Sequence, residues 1–193
     1  KNWHEDVKPY IHLCKKAGYK SVEVSLLGQT PSSAKEIAKL ANDLNISITC
    51  TTGLSNEEDI SSSDPVIQQN GVDALKRAID MTAIMQAKLL TGVVHAAWGI
   101  SNSMGKDKEG KFQNSSHSIK KITSFLSEKN IKLGIEPLNR YESDFINTVD
   151  EGIRLCELID HPNVGLLLDA YHMNIEEKNM CQSIEKAGDR IFH

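Results

Sequence analysis

The feature that most constrains this chain is a regular alternation of short apolar segments with amphipathic ones. From Asp6 to Ala17, Val7, Tyr10, Ile11, Cys14 and Ala17 recur at helical spacing, and Gly18 supplies a stop. Ser21–Ser25 then reads as a strand, Pro31 opens a helix carrying Ile37, Ala38, Ala41 and Leu44 on one face, and Ile46–Cys50 is the next strand. A long helix follows from Asp64-Pro65 to about Gln86, then a β-branched and leucine-rich strand over Lys88–His95. The polar stretch 102–114 reads as an exposed loop, with the charged run Gly105–Lys111 solvated, and 116–129 as a helix. Ile131–Glu136 is a strand, and Thr148 and Glu151 form a capping box for a helix ending at Ile159. Val164–Asp169 is a strand, Ile175–Ala187 a helix and Arg190–His193 the beginning of a further strand.

About six strands, each separated from the next by a helix, define an α/β protein with a parallel sheet. The late strands are continuous apolar runs, as expected of strands buried on both faces. Two closures fit this order, an open doubly wound sheet or a (β/α)8 TIM barrel; no Gly-x-Gly-x-x-Gly follows the first strand, which argues against a dinucleotide-binding sheet. A full barrel needs roughly 250 residues, and this chain has 193, opening on a helix and stopping within a strand. The expectation is therefore one TIM-barrel domain over 1–193, incomplete at both ends: a fragment of a longer chain lacking the first strand and the last strand or strands.

The net charge of −4, from 22 basic and 26 acidic residues, gives no reason to expect nucleic acid or an anionic membrane as partner. Apolar runs are far shorter than a membrane span, and no signal-peptide pattern opens the chain. Four cysteines, at 14, 50, 156 and 181, form no Cys-x-x-Cys pair. Cys14 and Cys156 read as helix-core residues and Cys50 as a strand residue, so reduced thiols in a cytoplasmic protein are expected.

Two buried strands end in acids. Glu136 closes Lys132-Leu133-Gly134-Ile135-Glu136 and shares a face with Gly134; Asp169 closes Val164–Asp169 and shares a face with Leu167 and Gly165. A single acid at a strand end is equally well a helix cap or a surface charge. Two of them on neighbouring strands, at the ends where α/β active sites lie, with Glu142 and His172 close by, point to an oxygen-rich divalent-cation site. Other histidines are less informative. His95 closes its strand and either faces the pocket or packs; His161 sits in a turn before Pro162; His4, His12 and His117 read as solvated or packing residues. Arg140 is expected to pair with a nearby acid, and Met81 and Met85 to be helix core.

The segments Ile135-Glu136-Pro137-Leu138-Asn139-Arg140-Tyr141-Glu142, Asp144–Thr148 and His161–Glu177 closely resemble the ketose 3-epimerases, the D-tagatose and D-psicose 3-epimerase group of the xylose-isomerase-like TIM barrels. The likeness is strongest over 133–177 and continues more weakly through Gly53-Leu54 and Ala97-Trp98. It implies one divalent ion, manganese foremost with magnesium or cobalt as alternatives, and a small ketose as substrate. Glu136 would be a metal ligand and one of two acid/base glutamates, Asp169 a metal ligand, and Glu142, His172 and Trp98 substrate-binding residues. His193 matches the first member of a His-x-His pair whose second member is a ligand; that histidine and the second glutamate would lie beyond His193. The resemblance also implies a homo-oligomer, dimer or tetramer.

The chemistry is coherent: a C3 hydrogen of a ketose is acidic because it is α to the C2 carbonyl, and inversion through a cis-enediolate needs carboxylates on both faces of the sugar. Three alternatives stand beside it. One is another xylose-isomerase-like enzyme: an aldose–ketose isomerase, a hydroxypyruvate isomerase or an inosose dehydratase. Another is endonuclease-IV-type DNA repair, opposed by the negative charge and the few strand-end histidines. The third is an inactive fragment or binding module, should the chain end at His193.

Overall fold

The computed structural model describes residues 6–99 and 107–193. Five strands form one parallel sheet in sequence order: β1 (Ser21–Ser25), β2 (Ser47–Leu54), β3 (Leu89–Ala97), β4 (Lys132–Ile135) and β5 (Val164–Leu166). Helices α1 (Lys8–Lys16), α2 (Pro31–Asp43), α3 (Pro65–Ile84), α4 (Lys108–Lys120), α5 (Thr123–Lys129), α6 (Val149–Ile159), α7 (Ala170–Glu176) and α8 (Met180–Ala187) are interleaved with them. This order is that of successive βα units, and Ile191 adds a parallel bridge to Leu166 beyond β5. The sheet curls until its edges face: His193 Nε2 lies 3.5 Å from Glu23 Oε2 on β1.

Local chemistry explains the boundaries. Thr30 and Thr148 each accept from the third backbone N–H of their helix, in reciprocal capping boxes with Ser33 and Glu151. Asp64 caps α3 with Pro65 in its first turn. The core lies between the sheet and its helices, built on Leu75, Ile79, Leu90, Ile119, Leu126, Leu133 and Phe145. Phe112 meets Phe145 edge-on at 4.9 Å. All four cysteines are free thiols. Cys50 and Cys156 are buried, and burial pushes both thiols up to about 12.

Gly71 sits in the interior of α3, where alanine would ordinarily favour the helix by about 1 kcal/mol. Here a Cβ would overlap the carbonyl oxygen of Glu58 and the side chain of Ile60. Gly71→Ala is therefore expected to lower the melting temperature rather than raise it, as a thermal melt will read.

The structure differs from the sequence expectations in several places. Residues 108–114 are helical, because Asp107 caps α4 by accepting from Gly110 N–H. The charged run is not simply solvated: Lys111 pairs with Asp144 at 2.8 Å and Lys108 pairs with Glu151. Its first residues, Gly105 and Lys106, lie outside the described residues, as does His4. The helix expected over 116–129 is divided between α4 and α5, which turn at Lys121-Ile122 so that Ile119, Ile122 and Leu126 are all buried. The helix expected over 175–187 is likewise divided. α7 begins at Ala170 because Asp169 Oδ1 accepts from Tyr171 N–H, and Asn179 caps α8. β5 accordingly ends at Leu166, three residues short of the expected Asp169, and beyond Gly188–Arg190 the last residues make one bridge rather than a ladder.

Candidate active site

The strand ends and the loops that follow them carry the predicted residues. Glu136 comes directly after β4, where its N–H bonds the carbonyl of Gly92. Asp169 caps α7 with Oδ1, which leaves Oδ2 uncommitted to the helix. His172 stands one turn further along α7, buried, with Nε2 3.7 Å from Glu136 Oε1 and 4.0 Å from Asp169 Oδ2. One ligand atom from each of these three residues lies within 4.8 Å of the other two. Both readings of a strand-end acid thus apply to Asp169, which is a cap and a member of the cluster.

Glu136 is half-buried among like charges. Burial first, then the carboxylates of Asp169, Glu23 and Glu142, push it up to about 7. Crowded carboxylates with free oxygens fit a hard divalent cation, whose charge would remove the repulsion that the carboxylates impose on one another.

Glu142 is brought close by the β4–α6 loop. Its Oε1 accepts from Asn139 Nδ2 at 2.9 Å, and Asn139 Nδ2 also lies 2.8 Å from His172 Nδ1. The backbone carbonyl of Glu142 accepts from Gly99 N–H, which ties this loop to the end of β3. Trp98, 54% exposed, stands at that strand end. Its N–H bonds Leu54, and a Cβ on Gly53 would lie 3.3 Å from its ring. Glu136, Asp169, His172 and Glu142 are therefore assembled, with Trp98 on the adjoining rim.

Two residues were missed by the sequence reading. Glu23 projects from β1, accepts from Thr91 Oγ1 at 3.0 Å and adds to the negative field on Glu136. A charge in the middle of Ser21-Val22-Glu23-Val24-Ser25, opposite in facing to its valines, was the available signal. Asn139 lies within the quoted motif but was given no role, although it is completely buried.

Other candidates fall away from the cluster. His95 is fully buried with its ring 5.8 Å from that of Phe145, so it packs. His161 Nδ1 accepts from Asn163 N–H within its turn, and His12 and His117 are exposed. Arg140 forms a two-pronged pair with Glu176, its Nε donating to Oε1 and its Nη2 to Oε2, both at 2.9 Å.

Residues 11–193 match the family described as xylose isomerase-like TIM barrel, and the chain belongs to that family. Among characterised relatives, the D-psicose 3-epimerase of Enterocloster bolteae is 29% identical over the whole of this chain and 66% of its own length. The L-ribulose 3-epimerase of Methylomonas sp. is 32% identical over 91% of this chain and 61% of its own length. A crystal structure of D-psicose 3-epimerase in the presence of D-fructose superposes with a TM-score of 0.92 at 30% identity, covering 98% of this chain and 66% of that one. The chain thus spans about two thirds of the length of the relatives it matches. Among the described residues no helix is long and apolar enough to cross a membrane.

Proposed function

We propose that this chain belongs to a metal-dependent enzyme that epimerises a free ketose at C3. The observation that carries the reading is the cluster of Glu136, Asp169 and His172 at the strand ends, with Glu142 held beside it. The similarity to D-psicose and L-ribulose 3-epimerases supports it. In this reading Glu136 and Asp169 hold one divalent ion, manganese foremost, with magnesium or cobalt as alternatives. The ion supplies a positive charge that polarises the C2 carbonyl and so acidifies the hydrogen at C3.

The chain's own residues do the rest. Glu136 removes or returns the C3 proton. Without the ion, burial and the neighbouring carboxylates raise it to about 7; with the ion's charge offsetting that repulsion, Glu136 is ionised and able to accept the proton. A second carboxylate on the opposite face, which the family resemblance puts beyond His193, completes the inversion. Glu142 and His172 hydrogen-bond the O1–O2 end of the sugar and fix its C3–H against Glu136. Trp98 offers an aromatic wall at the rim. The protein is further proposed to act in the cytoplasm as a homo-oligomer.

The competing superfamily reactions give different products. With Mn2+ and D-fructose, the C3 epimer is the expected product by chromatography. An aldose in its place would assign the protein to the aldose–ketose isomerases, and no sugar product would leave the binding-module reading.

A further inference from the structure

Asn139 is the most heavily committed side chain near the cluster. Its Oδ1 accepts from Tyr141 N–H at 2.9 Å, which fixes the orientation of the amide. Its Nδ2 then has two hydrogens to place: one meets Glu142 Oε1 at 2.9 Å and the other His172 Nδ1 at 2.8 Å. The backbone N–H of Asn139 approaches the same His172 nitrogen at 3.2 Å. Two donors converge on Nδ1 from a residue with no exposed surface, while Nε2 faces Glu136 and Asp169.

We propose that Asn139 is a positioning residue that fixes His172 as the Nε2–H tautomer and holds Glu142 in the same frame. Two donors at Nδ1 require the lone pair there, so in the neutral imidazole the proton sits at Nε2. His172 then presents a donor to the cluster. A nitrogen that carries a proton has no lone pair for a cation, so His172 is not a metal ligand through Nε2, although its distances alone would admit it. Glu142 has one oxygen held by the same amide, and among the described residues its other oxygen is available to an incoming hydroxyl. One buried amide thereby sets a donor and an acceptor side by side, as recognition of a carbonyl beside a hydroxyl requires. This inference rests on the proposed ketose chemistry for its purpose but not for its test.

The test is nitrogen-15 NMR of the histidine rings in the described chain, free and with Mg2+ as a diamagnetic probe. The expected result is a bare, pyridine-like Nδ1 and a protonated, pyrrole-like Nε2 for His172, unchanged by Mg2+. A protonated Nδ1 in the unsubstituted chain, or loss of the Nε2 proton on adding Mg2+, would overturn the proposal. Asn139→Asp keeps the size and the turn but places a carboxylate oxygen at His172 Nδ1, so Nδ1 is expected to gain a proton. An unchanged Nε2–H tautomer in that variant would also overturn it. Should Asn139→Asp not fold, the unsubstituted chain decides alone. With D-fructose, Asn139→Asp is expected to lose about ten- to a hundredfold in turnover. Absence of ketose turnover in the unsubstituted protein would sink the functional reading only, since the nitrogen signals report on Asn139 by themselves.

Discussion

Glu136→Gln is expected to stabilise the metal-free protein at pH 8 and to abolish most of its stabilisation by Mn2+. In the fold Glu136 keeps its proton up to about pH 7, against an ordinary value of 4.5. Between those values the folded state binds more protons than the unfolded state, so this residue's contribution falls as pH rises from about 4.5 to 7. Above that window the metal-free fold bears the full penalty, on the order of 3 kcal/mol. Glutamine carries no charge and escapes it. A bound cation reverses the balance, because it offsets the charge of Glu136, Asp169 and their acidic neighbours and stabilises only the folded state. Thermal melts at pH 8 with EDTA and with Mn2+ read both effects. A glutamine variant less stable than the parent in EDTA, or equally responsive to Mn2+, would count against the site.

The second large effect is at His95, and its sign is opposite. Among the described residues both ring nitrogens are buried without a hydrogen-bond partner, a cost of about 1–3 kcal/mol for each such group. Burial first, and then the charge of Lys111, hold the imidazole down at about 3. The unfolded chain takes up a proton near pH 6.5 that the fold refuses. Stability from this residue is therefore complete above pH 6.5 and is lost as pH falls toward 3, by about 1.4 kcal/mol per pH unit. His95→Leu removes the unpaired nitrogens at similar volume. Relative to the parent it should gain about 2 kcal/mol more at pH 5 than at pH 7 in denaturant melts. Comparing variant with parent is essential, because Glu136 opposes this slope over part of the same range. A difference that does not change with pH would show that His95 is not held neutral.

Much of the fold was legible because its determinants are local. Strand–helix alternation, the Thr148–Glu151 capping box and the proline starts at Pro31 and Pro65 all act within a few residues. The elements that departed from expectation answer to partners that the apolar pattern does not show, some distant and some local. α4 starts early in a charged run whose lysines find Asp144 and Glu151, more than thirty positions away in sequence. The strand at Val164 stops early because its terminal acid is taken as the cap of α7.

The site divides in the same way. Glu136 and Asp169 stood out as charges ending apolar strands, and the proposed roles of Glu142, His172 and Trp98 came with the family motif. Glu23 reaches the cluster only because the sheet curls between β1 and the strands that follow, a long-range feature that no single strand displays. Asn139 was hidden for another reason. Its importance lies in where two amide hydrogens go, and that is decided by His172, thirty-three residues further on.

The central claim is that Glu136 moves a proton at C3 of a ketose. The most direct measurement is deuterium incorporation at C3 of D-fructose in D2O with Mn2+, comparing the protein with its Glu136→Gln variant. C3 exchange by the parent and none by a folded variant is the predicted result. Exchange that survives the substitution would contradict the role assigned to Glu136, and exchange confined to C1 would place the chemistry at the wrong carbon.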